Sequence, residues 1–118
     1  MAPMAKNLEV VRALVWARAR GYCEKCGSQL GDSWALHHRK LKSRGGEDTV
    51  ENFLALHHEC HNLGTDSVHN NPSMASDTGH MVHSWENPAE CPVTLPNGDV
   101  VILTSLGTYK YLSRKDSW

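Results

Sequence analysis

The chain has 118 residues, of which 12 are Lys or Arg and 13 are Asp or Glu, so its formal net charge is −1. This length is typical of one domain, and no stretch approaches the roughly 18 consecutive apolar residues that a membrane-spanning helix needs. Residues 1–6 also lack the apolar segment and cleavage pattern of a secretory signal peptide. We therefore expect one small cytoplasmic domain over residues 1–118, and we do not expect a membrane, secreted or fibrous protein.

The charges are distributed unevenly along the chain. Residues 1–46 contain nine basic and three acidic residues, whereas residues 47–118 contain three basic and ten acidic residues. A basic half on a nearly neutral chain can form a phosphate-binding surface, although the same asymmetry also occurs on ordinary solvated surfaces. The basic residues of the first half therefore indicate phosphate binding only if they lie next to a catalytic or metal-binding site.

The first predicted element is a helix over residues 6–20. Its apolar residues recur at helical spacing, which leaves Arg12, Arg18 and Arg20 on the face that we expect to point outward. Gly21 is expected to end the helix.

The next segments predict a compact ββα unit. Residues 34–38 are a short strand candidate, and residues 45–46 are two glycines that must form a loop. Residues 49–56 are expected to form a returning strand or turn, and residues 58–64 fit the start of a short helix.

The last part of the chain is expected to be an extension of this unit. Residues 65–78 are rich in Asp, Ser, Asn and Pro and predict an extended loop. Residues 92–104 predict a hairpin, because Asn-Gly lies between two apolar runs. Residues 114–118 are expected to form a frayed tail.

Two pairs of residues have the spacing of zinc ligands. Cys23 and Cys26 are separated by two residues, and His57 and Cys60 repeat that spacing downstream. Two such pairs supply the four ligands of a tetrahedral structural zinc site, which would staple the first turn onto the ββα unit.

Other interpretations of these cysteines remain open from the residues alone. His58 could replace His57 as the fourth ligand. A thiol redox site at Cys23 and Cys26 would need a neighbouring βαβ pattern, and the sequence shows none. Buried cysteines without a ligand are a further alternative, and Cys91, which has no paired residue, is expected to be a small core residue.

A group of histidines lies between and beside the two pairs. His37 and His38 are consecutive in the predicted strand, so their side chains are expected to face opposite ways. If His37 faces the helix that starts near His58, it can share a metal ion with His61. His38 would then be free to accept or donate a proton.

The order Cys-x-x-Cys, His-His, Ser-Arg-Gly-Gly, Glu-Asn and Cys-His resembles the HNH endonuclease family, and small phage proteins of that family in particular. The resemblance covers about residues 22–62. It implies an α+β fold, namely a zinc-stapled ββα-metal (HNH, His-Me finger) domain with an N-terminal helix over 6–20, a core over 21–64 and a hairpin extension over 65–118.

The resemblance also implies roles for four residues. His37 would be a ligand of the catalytic metal ion, His38 the general base, Asn52 the middle residue of the motif and His61 the second metal ligand. Asn52 would tie the loop between the strands so that His38 keeps its orientation.

Three positions depart from the family pattern. Leu41 stands where many members have Pro, and His57 stands where the second pair usually begins with Cys. Some members have a further histidine one helical turn after the second metal ligand. That position is Thr65 here, which leaves His69 as a speculative third ligand.

The implied activity is hydrolysis of DNA phosphodiester bonds that leaves 5′-phosphate and 3′-hydroxyl ends. It requires one divalent cation in addition to the structural Zn²⁺, and histidine ligands suit Mg²⁺, Mn²⁺, Ni²⁺ or Zn²⁺. The resemblance also points to phage genome processing or packaging, with the terminase or portal as partners.

Four basic residues directly follow the histidine pair, and we expect them to contact the DNA backbone: Arg39, Lys40, Lys42 and Arg44. A zinc-binding module that contacts nucleic acid or protein without cutting is the alternative function. Such a module has no use for His38 together with an ion site at His37 and His61, and this difference separates the two interpretations.

Overall fold

Residues 7–115 are described in this computed structural model. Residues 1–6 lie outside this range; they are the segment in which no signal peptide is expected, and they include the first residue of the predicted helix. Residues 116–118 of the predicted tail also lie outside it. Within residues 7–115, none of the helices has the length and apolar character needed to cross a membrane.

Helix α1 spans Leu8–Ala19 and has a capped start and end. The side chain of Asn7 accepts a hydrogen bond from the backbone N–H of Glu9 at 3.0 Å, which satisfies one of the free donors of the first turn. Arg20 takes a left-handed conformation with φ of +57°, and Gly21 follows at +78°, so the chain turns away from the helix axis.

Arg18 does not face outward as predicted, because it is buried beneath α1. Its guanidinium forms two hydrogen bonds with the carboxylate of Glu24, at 2.9 and 2.7 Å, and donates to the backbone carbonyls of Val50 and Phe53. The hydroxyl of Tyr109 donates to the same carboxylate. A buried charge pair with its remaining hydrogen-bonding groups satisfied therefore links α1 to the loop and strand below it.

The predicted ββα unit is confirmed. Strand β1 (Ala35–His38) pairs antiparallel with β2 (Phe53–Leu56), and His38 lies opposite Phe53. A short π-helix, Glu59–Leu63, begins three residues after the end of β2. Residues 49–56, predicted as a returning strand or turn, contain both a turn at Val50–Asn52 and β2.

The loop between β1 and β2 contains two short 3₁₀ turns, Lys42–Arg44 and Val50–Asn52. Gly45 ends the first turn with φ of +88°, a conformation that favours glycine. A Cβ atom on Gly46 would lie 1.7 Å from the backbone oxygen of Lys40, so this position also requires glycine.

The prediction of an extended loop over residues 65–78 is wrong for its second half. Helix α2 spans Pro72–Thr78, with Pro72 in the first turn and Ala75 buried against the core. Gly79 follows the last helical residue in a left-handed conformation. Proline at the start and glycine after the end are helix signals that the polar composition of this segment obscured.

The C-terminal extension is a three-stranded antiparallel sheet. Strands β3 (Val93–Thr94) and β4 (Val100–Leu103) form the predicted hairpin, and β5 (Tyr109–Ser113) pairs with β4 as a third strand that the sequence analysis did not identify. The segment predicted as a tail begins right after β5. The backbone N–H of Lys115 donates to the carboxylate of Asp99 at 2.7 Å.

One cluster of buried side chains joins α1, the ββα unit and the extension. Its members contact one another across these elements, so the extension packs on the same core as the metal-site segment. Fully or almost fully buried members from the three parts are Val11, Val15, Val50, Phe53, Leu54, Leu56, Val93, Val101 and Leu103.

Arg39 is completely buried, with 0% of its surface exposed. Its guanidinium donates four hydrogen bonds of 2.8 to 3.0 Å to the backbone carbonyls of Gly79, Glu51, Pro88 and Cys91. Burial lowers the pKa of Arg39 to about 10, so the group stays protonated at neutral pH. The prediction that Arg39 contacts DNA is therefore wrong, because its side chain fastens the extension to the end of β1.

We predict that Arg39→Met strongly destabilises the fold. The substitution leaves four carbonyls without their donor, and buried unpaired groups typically cost about 1–3 kcal/mol each, so the free energy of unfolding should fall by at least about 3 kcal/mol. Urea unfolding followed by tryptophan fluorescence measures the change. Lys42→Met, at an exposed position, is the control and should change the stability little; equal stability of the two variants would contradict the assignment.

Candidate metal centres and active site

The four residues predicted to bind structural zinc lie together in the structure. Their ligand atoms, three thiol sulfurs and one imidazole nitrogen, are all within 4.8 Å of one another. They belong to Cys23, Cys26, His57 and Cys60. Three thiols and one imidazole are a donor set that suits tetrahedral Zn²⁺.

Hydrogen bonds around this Cys/His cluster orient its ligands. The backbone N–H groups of Lys25 and Cys26 both donate to the sulfur of Cys23 at 3.4 Å. Nε2 of His57 lies 2.8 Å from the carbonyl oxygen of Gln29, to which its N–H can donate, and Nδ1 lies 3.2 Å from the sulfur of Cys26. The tautomer with its proton on Nε2 leaves Nδ1 as the metal-binding atom.

The thiols of the cluster differ in acidity. Burial raises the pKa of Cys26, but hydrogen bonds with Ser28, Cys23 and His57 outweigh it and lower that pKa to about 6. Burial, followed by the charge of Cys23, raises the pKa of Cys60 to about 12. Thiolates this close repel one another, and a zinc ion held by these residues would supply the positive charge that stabilises them together.

The alternatives for these cysteines are less compatible with the geometry. The ring of His58 lies away from the cluster and is 3.0 Å from the hydroxyl of Ser33, so His57 takes the fourth position. Cys23 and Cys26 form no disulfide, and they share their site with two further metal-ligand side chains, which favours a metal over a redox pair. Cys91 lies outside the cluster and is half-buried.

A second group of metal-ligand atoms belongs to His37, His61 and His69. The Nε2 atoms of His61 and His69 are 3.1 Å apart. The centroid of the His37 ring lies 5.2 Å from that of His61 and 5.4 Å from that of His69. The structure thus brings together the two predicted ligands and the residue that the sequence left as a speculative third. We call these three residues the His cluster.

His37 supplies the test of whether a metal ion fits the His cluster. Its side chain is buried, and its Nε2 lies 2.6 Å from the backbone oxygen of His80, to which it donates. Nδ1 of His37 is also buried and has no hydrogen-bond partner in the structure. A buried nitrogen with a free lone pair beside two other imidazoles is what a divalent cation would satisfy.

The charge state of the cluster also suits a cation. Burial lowers the pKa of His37 to about 3. Burial, and then the neighbouring His69, also lowers the pKa of His61, with a smaller effect from His38. Neutral imidazoles are the form that binds metal ions.

His69 reaches the cluster because the chain folds back along the π-helix. The backbone N–H of Val68 donates to the carbonyl of Cys60, and that of His69 donates to the carbonyl of His61. This pairing places position 69, rather than position 65, beside His61. Spacing along the sequence could not reveal it, because the return depends on the turn that follows the π-helix.

His38 lies on the other face of β1 and has a partner that the sequence analysis missed. Its Nε2 is 2.8 Å from Oδ1 of Asp48, and its ring packs on the ring of Phe53 with centroids 4.4 Å apart. The hydrogen bond with His38 lowers the pKa of Asp48. Only the local position of Asp48 after the two glycines could have suggested this contact.

Asn52 is buried and spans the loop between β1 and β2. Its side-chain oxygen accepts from the backbone N–H of Lys40 at 2.7 Å, and its amide donates to the carbonyls of Lys40 and Glu47 at 3.0 and 2.9 Å. All of these partners are backbone groups of the loop that begins just after His38.

The predicted DNA-contacting residues are placed differently from one another. Arg39 is buried, as described above. Nζ of Lys40 donates to the carbonyl of Glu86 at 3.0 Å, and the guanidinium of Arg44 donates to that of Val82 at 3.3 Å. Lys42 is the most open of the four, with 66% of its side chain exposed.

Comparison with known proteins gives one family match. Residues 23–67 match the model of the HNH endonuclease family, so the predicted resemblance is confirmed for this segment. The match includes the whole Cys/His cluster and two residues of the His cluster, and His69 lies just beyond it. No significant match was found among curated proteins or among solved structures.

We predict that the purified protein holds about one zinc ion per chain at the Cys/His cluster. Cys26→Ser should lose this zinc and unfold at a lower temperature, because the ion stabilises the turn that carries two of its ligands. Elemental analysis after dialysis against a weak chelator, with thermal unfolding, measures both effects. Cys91→Ser is the control and should keep its zinc; a stable, cooperatively folded parent without zinc would contradict the prediction.

Proposed function

We propose that this protein is an endonuclease that hydrolyses DNA phosphodiester bonds with the help of one divalent cation. In this proposal His37, His61 and His69 hold the cation, His38 is the general base, and Asn52 positions the loop next to it. The HNH match at residues 23–67 supports a nuclease-type function.

The observation that carries the proposal is the unpaired Nδ1 of His37 inside the His cluster. Most buried histidine nitrogens have a hydrogen-bond partner. Nε2 of His80 is also buried and unpaired, but the unpaired nitrogen of His37 is the one that lies beside two further imidazoles. Here the carbonyl of His80 holds one nitrogen of a neutral ring, and the other is left without a partner next to His61 and His69. A divalent cation bound there would supply positive charge beside a phosphate and its leaving oxygen.

His38 provides the proton acceptor that hydrolysis needs. In the proposed reaction a water oxygen bonds to phosphorus, and the bond from phosphorus to the 3′ oxygen breaks. The proton of the water passes to the imidazole of His38, and the departing 3′ oxygen takes up a proton from solvent. The products are a 5′-phosphate and a 3′-hydroxyl. His38 directly follows the cluster residue His37 on β1, and in this proposal both groups act on one phosphate.

We predict that His38→Ala cuts supercoiled plasmid DNA roughly 10²–10⁴-fold more slowly than the parent, which is the usual contribution of a general base. Its affinity for Mn²⁺ and for DNA should remain close to that of the parent. His58→Ala, at the half-buried histidine bonded to Ser33, is a matched control and should cut at the rate of the parent.

We predict a different defect for His37→Ala and His61→Ala. Both remove a cation ligand, so cleavage should fall at low Mn²⁺ or Mg²⁺ and recover in part as the ion concentration rises. A cleavage series over metal concentration distinguishes this from the loss of the base. If His38→Ala cuts normally, or the parent cuts under no divalent ion, the non-catalytic zinc module becomes the better interpretation.

We predict that Lys42, which is exposed, and Arg44, which is half-buried, contact the DNA backbone. Replacing Lys42 and Arg44 together by Ala should weaken binding to unrelated DNA sequences similarly and flatten the salt dependence by roughly two units. Fluorescence anisotropy across a salt series measures this slope. Lys110→Ala, on an exposed position of β5, is the control; an unchanged slope in the double variant would exclude these contacts.

The predicted partnership with a phage terminase or portal stays a prediction. Copurification with those proteins would test it directly.

A further inference from the structure

We infer that Asp48 is a positioning residue that fixes His38 in the tautomer with its proton on Nε2, so that Nδ1 is the nitrogen that accepts the proton from water. This inference rests on the proposed function for the identity of the base. The contact between Asp48 and His38 itself is independent of that function.

The hydrogen bond determines which nitrogen carries the proton. Oδ1 of Asp48 is 2.8 Å from Nε2 of His38, and an ionised carboxylate can only accept a hydrogen bond. Nε2 must therefore carry the proton whenever the ring is neutral, and Nδ1 keeps the lone pair. The Phe53 ring packs against the imidazole, which opposes rotation of the ring away from this contact.

The loop that carries Asp48 is held in place by Asn52. Its amide group bonds to the backbone of Lys40, two residues after His38, and to that of Glu47, one residue before Asp48. The two partners of the contact are thus fixed relative to each other through one buried side chain. Asn52 therefore closes the loop and also fixes the position of Asp48 relative to the imidazole of His38.

The two carboxylate oxygens of Asp48 have separate partners. Oδ1 faces His38, and Oδ2 lies 3.5 Å from Nζ of Lys42. Both side chains of the His38–Asp48 pair are partly exposed, at 25% and 31%, and such pairs contribute little to stability. We therefore expect the contact between Asp48 and His38 to orient the imidazole rather than to stabilise the fold.

An Asp48→Asn substitution replaces a group that can only accept by an amide that can also donate, without changing the shape of the residue. Lys42 can only donate and its Nζ lies 3.5 Å from Oδ2, so we expect the carbonyl oxygen on that side and the amide NH₂ toward His38. In that orientation Nε2 accepts, and the proton moves to Nδ1. In Asp48→Ala, by contrast, water can bond to Nε2 and the neutral ring can take either tautomer.

The experiment combines cleavage with a spectroscopic readout. Asp48→Asn should cut supercoiled plasmid in Mn²⁺ roughly 10²–10⁴-fold more slowly than the parent, and Asp48→Ala should lose less activity than Asp48→Asn. Binding of Mn²⁺ and the unfolding midpoint should be unchanged in both. Asp77→Asn, on an exposed position of α2, makes the same chemical change elsewhere and should behave as the parent.

Long-range ¹H–¹⁵N NMR of the His38 ring measures the tautomer without any need for activity. The parent should show the proton on Nε2 and Asp48→Asn should show it on Nδ1. A parent ring with its proton on Nδ1, or an Asp48→Asn variant as active as a cutting parent, would overturn the inference. If the parent never cuts but the NMR result holds, the proposed function fails while Asp48 is still shown to orient His38.

Discussion

The candidate site depends on the hydrogen bonds that the buried guanidinium of Arg39 donates to backbone carbonyls. Arg39 comes directly after the His37–His38 pair and binds the carbonyl of Gly79, so the segment that follows α2 is fastened against the end of β1. The next residue, His80, offers its carbonyl to Nε2 of His37. That contact leaves Nδ1 of His37 free toward the His cluster, so one internal cation sets the orientation of a predicted metal ligand.

The two metal-ligand clusters are coupled through consecutive residues. Cys60 belongs to the Cys/His cluster and His61 to the His cluster, and both lie on the π-helix that follows β2. An ion that fixes Cys60 therefore also fixes the start of the segment that presents His61. The return of the chain along the same helix brings in His69, so loss of the first ion would disturb two ligands of the second site.

The parts of the site that were predictable from sequence are those encoded by short spacing. Two residues between paired ligands, and two adjacent histidines on one strand, fix geometry locally. His69 and Asp48 depend on how loops return to the core, and a sequence shows no signal for that return. Arg39 was misassigned because a basic run predicts an exposed surface, whereas its partners are backbone carbonyls that no residue type reveals. Helix α2 and strand β5 were missed for related reasons, since a polar composition concealed the first and only pairing with β4 defines the second.

Fewer of the basic residues in the first half of the chain are available to a phosphate than their number indicates. Arg18 and Arg39 are buried and serve the core, which removes two of the nine positive charges from any surface that could meet a phosphate. Lys40 and Arg44 each donate a hydrogen bond to a backbone carbonyl of the segment that follows α2. Of the basic residues that follow His38, only Lys42 is largely exposed. Few phosphate contacts mean a weak salt dependence and modest affinity from charge alone. In the proposed function, selection of the bond to be cut would then depend on the His cluster and on His38 more than on an extended basic surface.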